Sequence, residues 1–433
     1  MTELAGPPAT DAAKPWDLYS GRQRWLFLGV LFLVSTSNYV DRNIIGVLLE
    51  PIKREFQISD TMLGLLTGFS FAIFYATLGI PVARWADRGD RKFILTVSLT
   101  VWSLMTALCG MAQSFLQLAL ARIGVGAGEA GALPPAQSLI ADYYPPAERG
   151  KALGTFMMSS MAGYVLGVVV GGQIAQAYGW RTAFLVVGLP GLGLAVVTHF
   201  VLKEPRRLPR FAVDPKTFEP LKESLRALLA KRSFVDILIA MVLYFLMAYG
   251  AFVFTVSFLI RVHGLSVGRA SAIFGLISTL TAVVGSYFGG AFADRLARKD
   301  IAWLARLPGL LLIAAWPIYE LAFGLPWLAG TVLVLGFGGV CLTGAIPAMF
   351  AALHAVCGSA RRAMSVAVIF FFANLIGTGL GPIITGRLSD TFAKSVGSAD
   401  GLRYAMMIVM VTFVPSGWFM LRAARNLKRD LEP

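Results

Sequence analysis

Residues 83–92 read ARWADRGDRK and residues 290–299 read GAFADRLARK. These are two versions of one basic turn, each placed after the second long apolar run of its half of the 433-residue chain. A charged turn repeated at equivalent places points to a duplicated architecture. Around the two copies, 57% of the residues are apolar and 14% are charged. A soluble domain carries roughly 25% charged residues, so this chain lacks the polar surface to coat a water-soluble globule. Soluble enzymes and nucleic-acid-binding proteins are excluded on that ground, despite a formal charge of +14.

A crossing of about 20 residues with its share of loop leaves room for about twelve membrane helices. The apolar runs fall at 25–49, 61–84, 93–111, 115–143, 152–175 and 182–202, then at 234–260, 270–293, 301–321, 327–354, 364–388 and 402–421. Several are longer than the bilayer needs, which predicts tilted or kinked helices. They are too long and too continuous in apolarity for barrel strands. The expected fold is an all-α membrane protein of twelve transmembrane helices in two pseudo-symmetric six-helix bundles. The expected division is a cytoplasmic tail (1–23), a first bundle (24–202), a cytoplasmic linker (203–232), a second bundle (233–421) and a cytoplasmic tail (422–433). In the linker, Phe218, Leu221, Leu225, Leu228 and Leu229 recur at helical spacing between Lys222, Arg226 and Lys231, as in an amphipathic helix on the cytoplasmic face. Gly163 and Gly167 in the fifth run also match Gly377 and Gly381 in the eleventh.

Charge sets the expected orientation. With both termini on the cytoplasmic side, 28 of the 38 Lys and Arg fall in inner segments and eight in outer ones. That is the positive-inside bias of a multi-pass protein of a cell inner membrane. The remaining two, Arg42 and Arg122, lie inside apolar runs. The first twenty residues have no apolar core, so no cleaved signal is expected. Three scattered cysteines and three distant histidines suggest neither a disulfide framework nor a metal site. The chain has no phosphate-binding GxxxxGK[ST] string. Gly126, Gly128 and Gly131 spell GxGxxG, but inside a membrane run rather than between a strand and a helix, so they read as helix-packing glycines. No cofactor is expected.

The chemistry concentrates in two polar interruptions. The first run carries Asn38-Tyr39-Val40-Asp41-Arg42-Asn43, and the fourth carries Arg122 and Glu129 within LARIGVGAGEAG. Charge inside a span is costly and marks a site by default. Arg122 and Glu129 are seven residues apart, hence on one helix face about 10 Å apart. Counting rises from the span ends puts Asp41 and Arg122 within several ångströms in depth, with Glu129 deeper toward the cytoplasm. A carboxylate, a guanidinium and a second carboxylate form a candidate proton relay. Arg42 either adds a second cation to the site or snorkels outward. In the second half Tyr244, Tyr249, Thr343, Phe371, Asn374 and Thr378 are cavity candidates whose alternative role is packing and interhelical hydrogen bonding.

The paired DR-x-x-RK turns resemble the signature of the major facilitator superfamily, with Ala83 in place of the leading Gly and the loop Gly one place early, at Gly89. The strings NYVDR in the first run, RIGVGAGEA in the fourth and LIADYYPPAERGKALG after it are similar to the spinster branch of that superfamily. The resemblance implies an alternating-access transporter, not an enzyme. It also implies a cytoplasmic latch at Asp87, Arg88, Arg91 and Lys92, echoed by Asp294 and Arg295. Proton coupling is implied at Asp41, Glu129 and Arg122. The expected substrate site comprises Arg122, Arg42, Asn38, Tyr39, Tyr244, Tyr249, Phe371 and Asn374. The expected partners are the proton, the lipid bilayer and a small molecule, either an amphiphile or an organic anion. The rival readings are an organic-anion or sugar carrier of the same superfamily and an uncoupled uniporter.

Overall fold

The computed structural model describes residues 14–208 and 221–431, and among these residues it is helical throughout with no strand. The first span is Gly21–Phe56, opened by a capping box in which Ser20 accepts from the Gln23 amide. The second runs from Asp60, capped by Ser59, through a π-helical stretch Leu65–Phe69 to Arg88. The third is Arg91–Met111, capped by Asp90. The fourth, expected as one run, is broken into Phe115–Glu129 and Leu133–Tyr143. Pro134 and Pro135 explain the break, because proline lacks the amide and its ring crowds the carbonyl four residues back. The fifth and sixth spans are continuous in hydrogen bonding from Pro146 to Val201, turning at Gly179 with φ +86°.

The second half repeats the plan. The seventh span is Arg232–Phe252 with Thr255–His263, the eighth Val267–Ala297 and the ninth Trp303–Gly324. The tenth and eleventh turn into one another at Gly358, φ +64°, and continue through a π-helical stretch Ala373–Thr378 into Gly379–Val396. The twelfth is Ser398–Met410 with Phe413–Asp430. The matched glycines sit at matched contacts. A Cβ at Gly163 or Gly167 would strike the first span at Thr36, Tyr39 and Val40, and one at Gly377 or Gly381 would strike the seventh at Phe245 and Leu246. Each half therefore presses its fifth helix onto its first at the depth of the polar block.

Large apolar side chains face outward along the spans, among them Leu33, Leu116, Phe200, Leu276, Tyr287 and Phe337, as lipid contact requires. We call the face at which the first span begins and the twelfth ends the terminal face. There the expected linker helix is present over Leu221–Leu229, with Leu228 buried, while Phe218 lies outside the described residues. Lys231 beyond it donates to the Val356 carbonyl at 2.6 Å, tying this stretch to the second half.

Candidate functional site

A cavity of about 2040 Å³ lies between the halves. It reaches the terminal face, where Gln137, Arg206, Leu225 and His354 line it. At the other face the halves are locked. Arg261 of the seventh span forks onto Asp60 of the second with both terminal nitrogens at 2.7 Å, and its Nε donates to Glu50 of the first at 2.7 Å. Lys53 adds a 2.6 Å contact to Asp60. Asp390 of the eleventh span accepts from the amides of Asp60 and Thr61 at 2.9 and 2.8 Å, capping the second span across the interface. Among the described residues, the ion pairs joining the halves lie at this face.

Away from the terminal face, where Arg206 of the linker lines it, the charged residues of the cavity belong to the first half. Arg42 and Arg122 both line it. Arg42 does not snorkel outward: it turns to the fourth span, where Nε and Nη2 reach Glu129 Oε2 at 3.1 and 2.7 Å. Its guanidinium carbon lies 4.9 Å from the Phe71 ring centre, 4.8 Å from that of Tyr75 and 5.7 Å from that of Tyr39. Three aromatic faces thus hold the cation in place. Neither Phe71 nor Tyr75 was singled out in the sequence, although their four-residue spacing puts them on one helix face.

Asp41 is fully buried and lies outside the cavity lining. Its carboxylate faces Thr106 and Trp102 of the third span. Neither oxygen has a hydrogen-bonding partner at bonding geometry, and the Trp102 indole, the Thr106 and Ser103 hydroxyls and the Asn38 amide are likewise buried and unpaired. Arg122, expected beside that carboxylate, donates instead to the Asp41 main-chain carbonyl at 3.3 Å. Asp41, Arg122, Arg42, Glu129 and Asn38 are therefore one cluster, but its formed ion pair is Arg42–Glu129.

The second half supplies an uncharged wall. Tyr244, Tyr249, Phe371, Asn374 and Thr378 all line the cavity, with Phe245, Phe252, Phe274 and Tyr319 beside them. Phe245 stacks on Tyr249 at 6.0 Å. Asn374 spends its amide on the Phe370 carbonyl and Thr343 its hydroxyl on the Thr281 carbonyl, so both also serve helix structure.

At the terminal face, Arg91 is fully buried, paired with Glu204 at 2.5 Å and Asp142 at 2.6 Å and bonded to Ser138. Tyr143 bonds the Lys203 carbonyl, and Asp90 pairs with Arg207. Arg91 therefore clamps the third span to the fourth and to the segment leaving the sixth. Lys92 is half-buried, and Asp294 and Arg295 are exposed with no ion pair among the described residues. The side chains of Asp87 and Arg88 lie outside the described set. Among the described residues no metal-binding cluster and no disulfide occurs.

Comparison with known proteins agrees with this geometry. Residues 31–382 match the Major Facilitator Superfamily profile. An MFS-type efflux pump of Mycolicibacterium smegmatis is 33% identical over 99% of both chains. Protein spinster homolog 1 of Xenopus laevis is 28% identical over 93% of this chain and 80% of its own. The solved structure of a bacterial homologue of the human lysosomal transporter spinster, described as inward-facing and occupied, superposes with a TM-score of 0.87 at 32% identity, covering 96% of this chain and all of that one. The chain belongs to the major facilitator superfamily, on its spinster-like branch, and is a multi-pass membrane transporter rather than an enzyme.

Proposed function

We propose that this transporter carries an anionic amphiphile across a cell inner membrane, driven by the proton gradient, with both termini cytoplasmic. The observation that carries the reading is the split cavity. Two guanidinium groups sit on the wall formed by the first half, and the wall of the second half is aromatic and aliphatic without a charge. An anionic head would lie at Arg42 and Arg122 while a chain packs against Tyr244, Tyr249 and Phe371. A small organic anion would use the same cations, but about 2040 Å³ is well above the roughly 300–1,000 Å³ of a typical small-molecule pocket.

The positive-inside bias supports a cytoplasmic terminal face. The conformation then has its cavity open to the cytoplasm and its outer face locked by Arg261, Asp60 and Asp390. Transport would rock the halves, 24–202 against 233–421, about the cavity. The proton would act through Asp41 and Glu129. Asp41 is buried without a bonded partner, an environment that favours a carboxyl able to load and release a proton as water access changes. Arg122 would respond to that charge and to the head. In liposomes with an imposed pH gradient, a panel of lysolipids, sphingoid phosphates, sugars and organic acids tests the substrate. The account expects an anionic single-chain lipid to be preferred, and preference for a neutral sugar would end it.

A further inference from the structure

We infer that Glu129 is an internal stand-in for the substrate's anionic head: it holds Arg42 until the head displaces it, and the released carboxyl then takes up one proton. The inference rests on the anionic-amphiphile reading above and adds to it the step that ties proton to substrate. Arg42 spends two donors on one oxygen of Glu129, and among the described residues no hydrogen bond engages its Nη1. Its side chain is 21% exposed toward the cavity it lines, whereas that of Glu129 is 0% exposed. The cation is therefore within reach of a ligand, and its present partner is sealed behind it. The box of Tyr39, Phe71 and Tyr75 keeps the guanidinium where an arriving phosphate or carboxylate would find it.

Glu129 is the last residue of Phe115–Glu129, immediately before the break at Ala130–Ala132. Two consequences follow. The break gives the side chain room to withdraw. A carboxylate at a helix C-terminus is opposed by the helix dipole, so without Arg42 it faces both that dipole and a dry site. The groups around it are Arg42, Asp41, Tyr39 and Asn38 on the first span, Arg122 on its own helix and Trp102 on the third, with Tyr75 of the second beyond Arg42. Arg122 is already committed to the Asp41 carbonyl. Glu129 Oε1 is buried and unpaired. Charge balances in the exchange: the Arg42–Glu129 pair becomes an Arg42–head pair plus a neutral carboxyl. One anion and one proton enter the site together, a symport whose net cycle also requires Asp41 to release its own proton for the empty carrier to return.

The test uses the purified full-length protein in non-ionic maltoside micelles. The probe is oleoyl lysophosphatidylglycerol, whose phosphodiester keeps its charge from pH 6 to 8, and oleoyl monoglyceride is the uncharged control. In weakly buffered solution, wild type should take up about one proton per anionic lipid bound and none with the monoglyceride. Its affinity should weaken by up to about tenfold per pH unit between pH 6 and 8. Glu129→Gln should take up none, bind with pH-independent affinity, and exceed wild type at pH 8. Anionic lipid bound by wild type without proton uptake overturns the inference alone, as does uptake retained in Glu129→Gln. Wild type that shows no preference for the anionic lipid overturns it together with the substrate reading. The wild-type proton count decides the matter even if the variant fails to fold.

Discussion

Arg122 donates to the main-chain carbonyl of Asp41 at 3.3 Å, while the carboxylate of the same residue makes no hydrogen bond. The guanidinium acts as a strut between the first and fourth spans at the depth of the polar block. It leaves the carboxylate facing Trp102 and Thr106 of the third span. The two neighbours are thus set apart: Arg42 lines the cavity, and Asp41 is buried behind it.

Losing the strut also removes one of the two guanidinium groups that the first half presents to the cavity. A hydrogen bond to a charged group contributes about 1.5–3 kcal/mol. Arg122→Ala should therefore lower anionic-lipid flux by roughly ten- to a hundredfold while the protein still inserts and purifies as a single species. Flux assays in liposomes, paired with size-exclusion profiles, check this. Normal flux in Arg122→Ala would remove the head-group role.

Arg261 is the hub of the lock opposite the terminal face, forked onto Asp60 and bonded to Glu50. Arg261→Gln should weaken that closure and shift the population toward the conformation open on that side, by roughly tenfold or more for the loss of a buried charge-assisted pair. Spin labels at exposed Gln113 and Lys394 would report a longer distance component. An unchanged distribution would show that apolar packing alone closes this face.

Gly386 offers an independent handle on the same closure. A Cβ there would collide with the main-chain carbonyl of Asp60 across the interface, and backbone cannot give way cheaply. Gly386→Ala should disfavour the closed outer face without touching any charge. The same label pair should lengthen in this variant. Unchanged distances in Gly386→Ala would mean that the two spans slide apart locally and the halves do not rock as units.

Arg91 leads to a stability prediction. Its guanidinium is fully buried between Glu204 and Asp142, and removing one partner of a buried pair costs about 3–5 kcal/mol. Glu204→Gln should lower the melting temperature in detergent and reduce yield, with the substrate preference of the surviving protein unchanged. A variant as stable as wild type would show that this buried pair does not hold the third span in place.

The duplicated fold was legible because its signals are local: two basic turns, long apolar runs, and glycines at one spacing in the fifth and eleventh spans. The members of the site were legible too, since charges inside apolar runs stand out. Their pairing was not. Asp41 and Arg42 point about 100° apart on one helix, and the rotation of that helix decides which faces the cavity. That rotation is set by contacts of Gly163 and Gly167 with the first span, which no local pattern records. The aromatic box of Phe71 and Tyr75 was hidden among other apolar residues, and the Arg261–Asp60–Asp390 lock joins positions whose separation in sequence carries no pattern.

The central claim is that a proton gradient drives transport through the buried carboxyl of Asp41. The most direct measurement is uptake of radiolabelled oleoyl lysophosphatidylglycerol into liposomes, with and without an imposed pH gradient, for wild type and Asp41→Asn. Asparagine keeps the shape of the neutral carboxyl but cannot exchange a proton. Wild type should accumulate the lipid above its equilibrium distribution only when the gradient is present. Asp41→Asn should lose that accumulation and retain exchange of internal for external lipid. Gradient-driven accumulation persisting in Asp41→Asn would contradict the account.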